Sequence, residues 1–131
     1  MKHYRFNDAA VVLAGAKASR EYFEPIFLER DQELTIVAFC DARVRLCQLL
    51  SFPGGKDSSQ ISVSEVCRHA LECNGMIVAH NHPSGDPRPS ASDLRLTRKL
   101  YNVLEAIDVA FLDHLIFAGG RMFSFRQAGL L

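Results

Sequence analysis

Two histidines separated by one residue, with an aspartate a short loop later, are the strongest chemical signal in this chain. His80 and His82 follow an apolar stretch, residues 75–79, that predicts a buried strand. Side chains at alternate strand positions share a face, so both imidazoles should project together. Pro83 should end the strand, and Asp93 then falls in the first turn of a predicted helix. Two imidazoles, one carboxylate and a fourth position left to water form the donor set of a catalytic zinc site.

The same residues also have a purely structural interpretation. Ser90 and Asp93 have the spacing of a helix capping box, and acidic residues favour the first turn of a helix because of its dipole. His80 and His82 could be hydrogen-bonded polar groups at the end of a strand. Capping and metal binding by Asp93 are compatible, because a carboxylate at the start of a helix can do both. The contiguous string His-Asn-His does not match the nuclease motif of that name, whose residues are spread widely along a chain.

Composition and charge limit the classes of function. The 131 residues are 48% hydrophobic, which indicates one globular domain with a real core. With 15 basic and 15 acidic residues the net charge is +0, which argues against broad nonspecific binding of nucleic acid. Four basic residues near the motif could form a local basic patch or lie on a solvated face of a helix: Arg88, Arg95, Arg98 and Lys99. No apolar run is long enough to cross a bilayer, so no membrane association is expected.

The cysteines and the first residues predict a cytoplasmic protein. The four cysteines contain no Cys-x-x-Cys pair and no zinc-finger spacing, and a disulfide scaffold does not suit this composition. The zinc deaminase signature, with His-x-Glu and Pro-Cys-x-x-Cys, is absent as well. Residues 1–17 have only a faint likeness to a signal peptide, since the apolar run is short. We expect this segment to pack on the domain as a helix or strand.

Hydrophobic periodicity predicts strands that alternate with helices, with a hairpin at each end of the pattern. That order indicates an α/β fold in which a mixed sheet has helices on both faces. The predicted elements are a helix from Ser19 to about Glu29, strands at 34–40 and 44–51, a helix from Ser62 or Ser64 through Leu71, the motif strand, a helix over about 91–107, and strands at 109–117 and 122–125. The loops at 53–59 and 84–89 are expected to border a cleft.

Two further assignments concern the interior around the motif. The inner side of the helix over about 91–107 is predicted to carry Leu94, Thr97, Tyr101 and Leu104. Asp113 and His114 precede an apolar run on a strand expected beside the motif strand. They could orient a ligand histidine, or form a buried hydrogen-bonded pair that fixes the sheet edge.

The full motif resembles that of a known family. The motif is similar to that of the JAMM (MPN-plus) metalloproteases, in which His-x-His-Pro is followed after six residues by Ser and after two more by Asp. The bacterial RadC-like branch in particular resembles this chain at residues 62–66, 79–87 and 111–131. The resemblance divides the chain into an N-terminal segment, 1–17, and a RadC-like JAMM domain, 18–131. Asn81 stands where eukaryotic deubiquitinating relatives carry Ser or Thr. We expect the chain to lack the N-terminal domain, related to helix-hairpin-helix modules, of full-length RadC proteins.

The resemblance implies a fold, a cofactor and a set of roles. The fold would be a single-domain mixed sheet flanked by helices, the JAMM/MPN fold, with a cytidine-deaminase-like layout. Zn²⁺ would be bound by His80, His82 and Asp93. Glu33, just before the strand at 34–40, fits the glutamate that takes a proton from the attacking water; on the residues alone it could be one of several solvated charges. Ser90 could donate to the developing oxyanion, or only cap the helix.

The function implied is zinc-dependent hydrolysis of peptide or isopeptide bonds, in a family loosely linked to DNA repair. The alternative is a noncatalytic MPN-type interaction module in DNA-processing assemblies, and hydrolysis of a non-peptide substrate is a third. A peptide or protein partner follows from the first hypothesis. Binding of nucleic acid and the oligomeric state stay open.

Overall fold

A six-stranded mixed sheet with three helices makes up the described part of the chain. The computed structural model describes residues 1–6, 11–54 and 61–131. The elements in chain order are β1 (Lys2–Arg5), α1 (Gly15–Phe27), β2 (Leu34–Cys40), β3 (Leu46–Pro53), α2 (Val63–Ala70), β4 (Gly75–Asn81), α3 (Ala91–Ala106), β5 (Ala110–Ala118) and β6 (Arg121–Ser124). The strand order is β1-β3-β2-β4-β5-β6. The predicted single-domain α/β fold is confirmed.

The directions of the central strands decide which residues meet. β4 and β5 are parallel and are joined through α3, whereas β2 runs antiparallel to β4. The carboxyl ends of β4 and β5 therefore lie at the same sheet edge as the amino end of β2. Thr35 on β2 and Ile116 on β5 are both register partners of His80. This edge collects the residues that the motif analysis singled out.

Helices cover both faces of the sheet, as the alternation of elements predicts. Phe23 and Phe27 of α1 pack with Ile36 and Ala38 of β2 in the core on one face. The other core contains buried residues of α2 and α3 together with the alternate residues of the same strands: Val37, Phe39, Val66, Ala70, Met76, Val78, Leu100 and Leu104. The all-buried pattern of β2 and β4 follows from this sandwich, since each strand is apolar on both faces.

The inner face of α3 differs from the predicted one. Thr97 and Leu104 are buried as expected, but Leu94 and Tyr101 are 41% and 45% exposed, and Leu100 is buried instead. The buried positions Asp93, Thr97, Leu100 and Leu104 follow the spacing of a single helical stripe. The stripe begins at the polar residue Asp93. The predictions of Leu94 and Tyr101 were therefore each wrong by one position, whereas those of Thr97 and Leu104 are confirmed.

Several element boundaries also differ. α1 spans Gly15–Phe27 rather than 19 to about 29, and β3 begins at Leu46 because the preceding turn places Val44 at a φ of 61°. In the predicted N-terminal segment 1–17, Lys2–Arg5 form an edge strand on β3. Residues 7–10, and residues 55–59 of the predicted loop 53–59, lie outside the described residues. Within the described ranges, no helix is long and apolar enough to span a membrane.

Candidate metal centre

His80, His82 and Asp93 converge at the edge where β4 ends. His80 lies in β4, His82 directly follows that strand, and Asp93 lies in the first turn of α3. The two Nε2 atoms are 3.1 Å apart. Asp93 Oδ1 lies 3.2 Å from His80 Nε2, and Asp93 Oδ2 lies 3.1 Å from His82 Nε2. His80 and Asp93 are each 2% exposed, so the group is almost closed on the protein side.

The hydrogen bonding of His82 turns a bare ring nitrogen toward Asp93. His82 Nδ1 lies 2.8 Å from the carbonyl oxygen of Asp86, which can only accept, so Nδ1 carries the hydrogen. In the neutral ring Nε2 then has a bare lone pair, and it faces the Asp93 carboxylate at 3.1 Å. Two acceptors at that distance repel unless a proton or a metal ion lies between them. Ligand atoms around a tetrahedral zinc are roughly 3.3 Å apart. The donor set therefore fits a metal such as zinc.

In the metal-free protein the Asp93 carboxylate and the His82 imidazole shift each other's pKa values. Hydrogen bonding to Asp93 raises the pKa of His82, against the opposing effect of burial. In the metal-free protein, burial tends to raise the pKa of Asp93, but the nearby imidazoles of His80 and His82 outweigh it and hold that pKa well below its usual range. A positive charge is thus stabilised on the imidazole side and a negative charge on the carboxylate.

Glu33 lies at the same centre, slightly farther from the imidazoles. Its Oε1 is 3.9 Å from His80 Nε2, and its side chain is 20% exposed. Glu33, His80 and His82 each offer one ligand atom within 4.8 Å of the others. The antiparallel pairing of β2 with β4 places Glu33 here, because it directly precedes β2. Glu33 is thus not a freely solvated member of its charge run. The carboxylates of Asp93 and Glu33 both lie near the imidazoles, and that of Glu33 is the farther one.

Asn81 and Gly54, for which the sequence predicted no role, hold the backbone at Glu33. Asn81 Nδ2 donates to Gln32 O at 3.0 Å, and Asn81 Oδ1 accepts from Leu34 N at 2.7 Å. On the other side, Gly54 N donates to Glu33 O at 2.7 Å. A Cβ at position 54 would lie 2.2 Å from Glu33 O, so only glycine permits this approach. In the sequence, the position of Asn81 between the two motif histidines was the one signal that could have indicated this role.

Ser90 forms the capping box that its spacing predicts. Its Oγ accepts from Asp93 N at 3.0 Å, and Asp93 Oδ2 accepts from Ser90 N at 2.9 Å. The carboxylate of Asp93 therefore caps α3 and faces the imidazoles at once. The oxyanion role of Ser90 remains a prediction.

Asp113 Oδ1 accepts from the backbone His114 N at 2.8 Å, but the two side chains have different partners beyond that bond. Asp113 accepts from Ser124 Oγ at 2.6 Å and from Arg126 N at 3.1 Å, which ties β5 to the turn after β6. The ring of His114 instead points to the centre, with its Nε2 3.0 Å from His80 Nδ1. Burial, and next the proximity of His80, lower the pKa of His114 well below its usual value, which favours the neutral ring. Only the histidine of the pair contacts a predicted ligand.

A cleft of about 330 Å³ opens beside His82. Its walls come from the end of α1, the loop after β4 and the turn between β5 and β6. The lining includes Phe27, Arg30, Pro83, Gly85, Gly119 and Arg121. Gly85 belongs to the predicted cleft loop 84–89, whereas residues 55–59 of the other predicted loop lie outside the described residues.

This fold and this centre define an α/β domain of the JAB/MPN type with a metal-binding group at the sheet edge. A family model described as RadC-like JAB domain matches residues 13–130, and the chain belongs to that family.

Curated relatives agree with this family. The chain is 40% identical to a UPF0758 protein of Acidithiobacillus ferrooxidans over 84% of this chain and 50% of the relative. It is 36% identical to a UPF0758 protein of Photobacterium profundum, over 92% of this chain and 55% of the relative. It is 37% identical to a UPF0758 protein of Herminiimonas arsenicoxydans, over 95% of this chain and 57% of the relative. The chain spans about half the length of these relatives.

Proposed function

We propose that this domain is a zinc-dependent hydrolase of peptide or isopeptide bonds. The observation that carries the proposal is the convergence of His80, His82 and Asp93, with Glu33 Oε1 3.9 Å from His80 Nε2. Asp93 is assigned to the metal because it reaches both imidazoles at 3.1–3.2 Å. Glu33, being farther away and partly exposed, is assigned to proton transfer.

The chemistry of the proposal divides between the metal and the protein. Zinc, when bound, would lower the pKa of a coordinated water to about 7 and polarise a carbonyl. Glu33 would accept the proton of the attacking water at Oε1 and return it to the leaving nitrogen as the C–N bond breaks. The Ser90 hydroxyl, whose oxygen accepts from Asp93 N, retains its hydrogen for donation to the developing oxyanion.

The cleft beside His82 supports a polymeric substrate. It is lined by His82 of the metal centre, by the end of α1 and by the turn from β5 to β6. Glycines line part of it, so the backbone of an extended peptide could approach the protein backbone closely. Its lining also contains both acidic and basic residues, including Glu29 and Arg30, which suits a polar peptide rather than a strongly charged polymer.

A noncatalytic interaction module in DNA-processing assemblies is the second candidate. It is favoured by an apolar groove of about 540 Å³ along α3 and the C-terminal residues, where Leu94, Tyr101 and Leu130 are 41–48% exposed. Such a module needs no metal, whereas the hydrolase does. Metal content therefore separates the two.

The test is zinc per chain by elemental analysis, on wild type and His80→Ala purified without a metal-binding tag. About one zinc in the wild type and almost none in the variant is expected. The zinc-loaded wild type is then screened against peptide and isopeptide libraries, with Glu33→Gln as the catalytic control. No zinc in either protein after metal is supplied would reject the hydrolase and favour the interaction module.

A further inference from the structure

The ring of His114 links the metal centre to the interior of α3. His114 lies on β5, is 0% exposed, and stacks on Phe125 with ring centroids 4.4 Å apart and an interplanar angle of 9°. Its Nδ1 is 2.6 Å from Thr97 Oγ1, and its Nε2 is 3.0 Å from His80 Nδ1. Both ring nitrogens thus have one partner each, and the stacked phenyl ring fixes the plane in which they meet these partners.

The single hydroxyl hydrogen of Thr97 determines the direction of this chain of hydrogen bonds. Thr97 Oγ1 lies 2.9 Å from the backbone oxygen of Asp93, which can only accept. The hydroxyl hydrogen is therefore used on Asp93 O, in the usual bond of a helical threonine to the carbonyl four residues earlier. At 2.6 Å the contact with His114 then requires His114 Nδ1 to donate and Thr97 Oγ1 to accept.

We propose that Thr97 and His114 are positioning residues that hold His80 in the tautomer whose Nε2 is free to bind a metal. The proposal rests on the proposed zinc site. A neutral His114 with its hydrogen on Nδ1 has a bare Nε2, which accepts from His80 Nδ1–H. His80 Nε2, which faces His82 and Asp93, then has no hydrogen and presents its lone pair to the centre.

The opposite tautomer would block the centre. A hydrogen on His114 Nε2 would be donated to His80 Nδ1, and the remaining hydrogen of His80 would then occupy Nε2. That hydrogen would point at the atoms that would otherwise bind the metal. The backbone carbonyl of Asp93 thus sets the tautomer of His80 through two side chains, while the carboxylate of the same residue faces the metal centre. Orienting partners of this kind typically change metal affinity 10–100-fold, roughly, when they are removed.

The first test is the tautomer of each ring, measured by long-range ¹H–¹⁵N NMR on the histidine side chains of wild-type protein. We expect His114 to carry its hydrogen on Nδ1 in both the zinc-free and the zinc-loaded protein, and His80 to carry its hydrogen on Nδ1 when zinc is bound. A His114 ring with its hydrogen on Nε2 in the zinc-loaded protein would overturn the proposal, and this measurement needs no variant to fold.

The second test compares Thr97→Val with Thr97→Ser. Valine keeps the branched shape but has no acceptor for His114, whereas serine keeps the hydroxyl. We expect zinc affinity, measured by competition with a chromophoric chelator, to fall about 10–100-fold in Thr97→Val and to stay within about threefold of wild type in Thr97→Ser. In Thr97→Val the hydrogen of His114 should move to Nε2.

The outcomes separate this proposal from the proposed function. Wild-type protein that binds no zinc rejects the zinc site and, with it, the positioning role. Wild-type protein that binds zinc, together with a Thr97→Val protein of equal zinc affinity, rejects only the positioning role. A loss shared equally by Thr97→Val and Thr97→Ser would show a packing effect and would also reject it.

Discussion

The side-chain amide of Asn81 brackets the backbone of Glu33. It donates to the carbonyl before Glu33, at 3.0 Å, and accepts from the amide after it, at 2.7 Å. The residue between the two motif histidines therefore fixes the segment that carries the proposed proton-transfer carboxylate. Because β2 and β4 are adjacent and antiparallel, one strand end sets both the imidazoles and the distance of Glu33 from them.

Replacing Asn81 should uncouple Glu33 from the metal centre. In Asn81→Ala the buried Leu34 N loses its acceptor, which should lower the free energy of unfolding by about 1–3 kcal/mol. Zinc content should stay near wild type, because His80, His82 and Asp93 are unchanged, while turnover falls. Chemical denaturation, elemental analysis and peptide hydrolysis measure the three quantities. Loss of zinc in parallel with turnover would show that Asn81 supports the ligands instead.

Glu33→Gln should retain zinc and lose hydrolysis. The amide is nearly the same size as the carboxylate but cannot take a proton from water, so kcat should fall about 10²–10⁴-fold. Turnover is measured on a peptide that the zinc-loaded wild type cleaves. Asp31→Asn is the matched control, because Asp31 is an exposed carboxylate of the same charge run and should be replaceable without effect. Turnover retained in Glu33→Gln would reject the assignment of Glu33 to proton transfer.

Gly54→Ala tests the position of Glu33 from the other side. The added methyl carbon would lie 2.2 Å from Glu33 O and 2.7 Å from Glu33 Cβ, so the backbone must move. A displacement of about 1 Å can reduce turnover about 10²-fold, and we expect a loss of that order with zinc still bound. Elemental analysis and kinetics on the same preparation check both points. Wild-type kinetics in a folded Gly54→Ala protein would mean that this close approach has no part in catalysis.

Asp93→Ala and Ser90→Ala separate metal binding from capping. Each variant removes part of the capping box and should cost about 1 kcal/mol of stability. Only Asp93→Ala removes a proposed ligand, so its zinc affinity should fall more than about 100-fold, beyond the range for residues that merely orient ligands. Chelator competition measures the affinity and thermal denaturation the stability. Full zinc occupancy in Asp93→Ala would show that Asp93 is only a cap.

The pH dependence of stability should reverse when zinc is added. The raised pKa of His82 contributes stability below its ordinary value, about 6.5, which is lost as pH rises through the folded-state pKa. The lowered pKa of Asp93 contributes stability above about 3.9, which is lost as pH falls. In metal-free protein the contribution of His82 should therefore be lost from about pH 6.5 upwards, whereas the lowered pKa of the buried His114 acts in the opposite sense near that pH.

Zinc must displace the proton of His82, so its stabilising effect should grow over the same interval. Thermal midpoints of chelator-treated and zinc-loaded protein at several pH values between about 5.5 and 8.5 give both trends. Asp93→Asn, which lacks the carboxylate, is the control. A zinc-induced shift that is equal at every pH would contradict this picture of the centre.

The sequence determined the local parts of this protein. Strand alternation was sufficient to place His80 and His82 on one face, and the spacing of Ser90 and Asp93 predicted a capping box that is present in full. The order of strands and helices predicted a mixed sheet with helices on both faces, and the family resemblance is confirmed over residues 13–130. Each of these features depends on residues close together in the chain, or on a pattern specific to the family.

Only the tertiary structure decided the contacts between distant segments. Glu33 reaches His80 because β2 pairs antiparallel with β4, and no periodicity in the sequence states which strands are neighbours. The parallel pairing of β4 with β5 showed that His114, and not Asp113, faces the metal centre. The rotation of α3 showed that Thr97 is buried whereas Tyr101 is exposed. The physical reason is that a side chain's surroundings depend on strand pairing and on helix rotation about its axis, both of which are set by packing of the whole core.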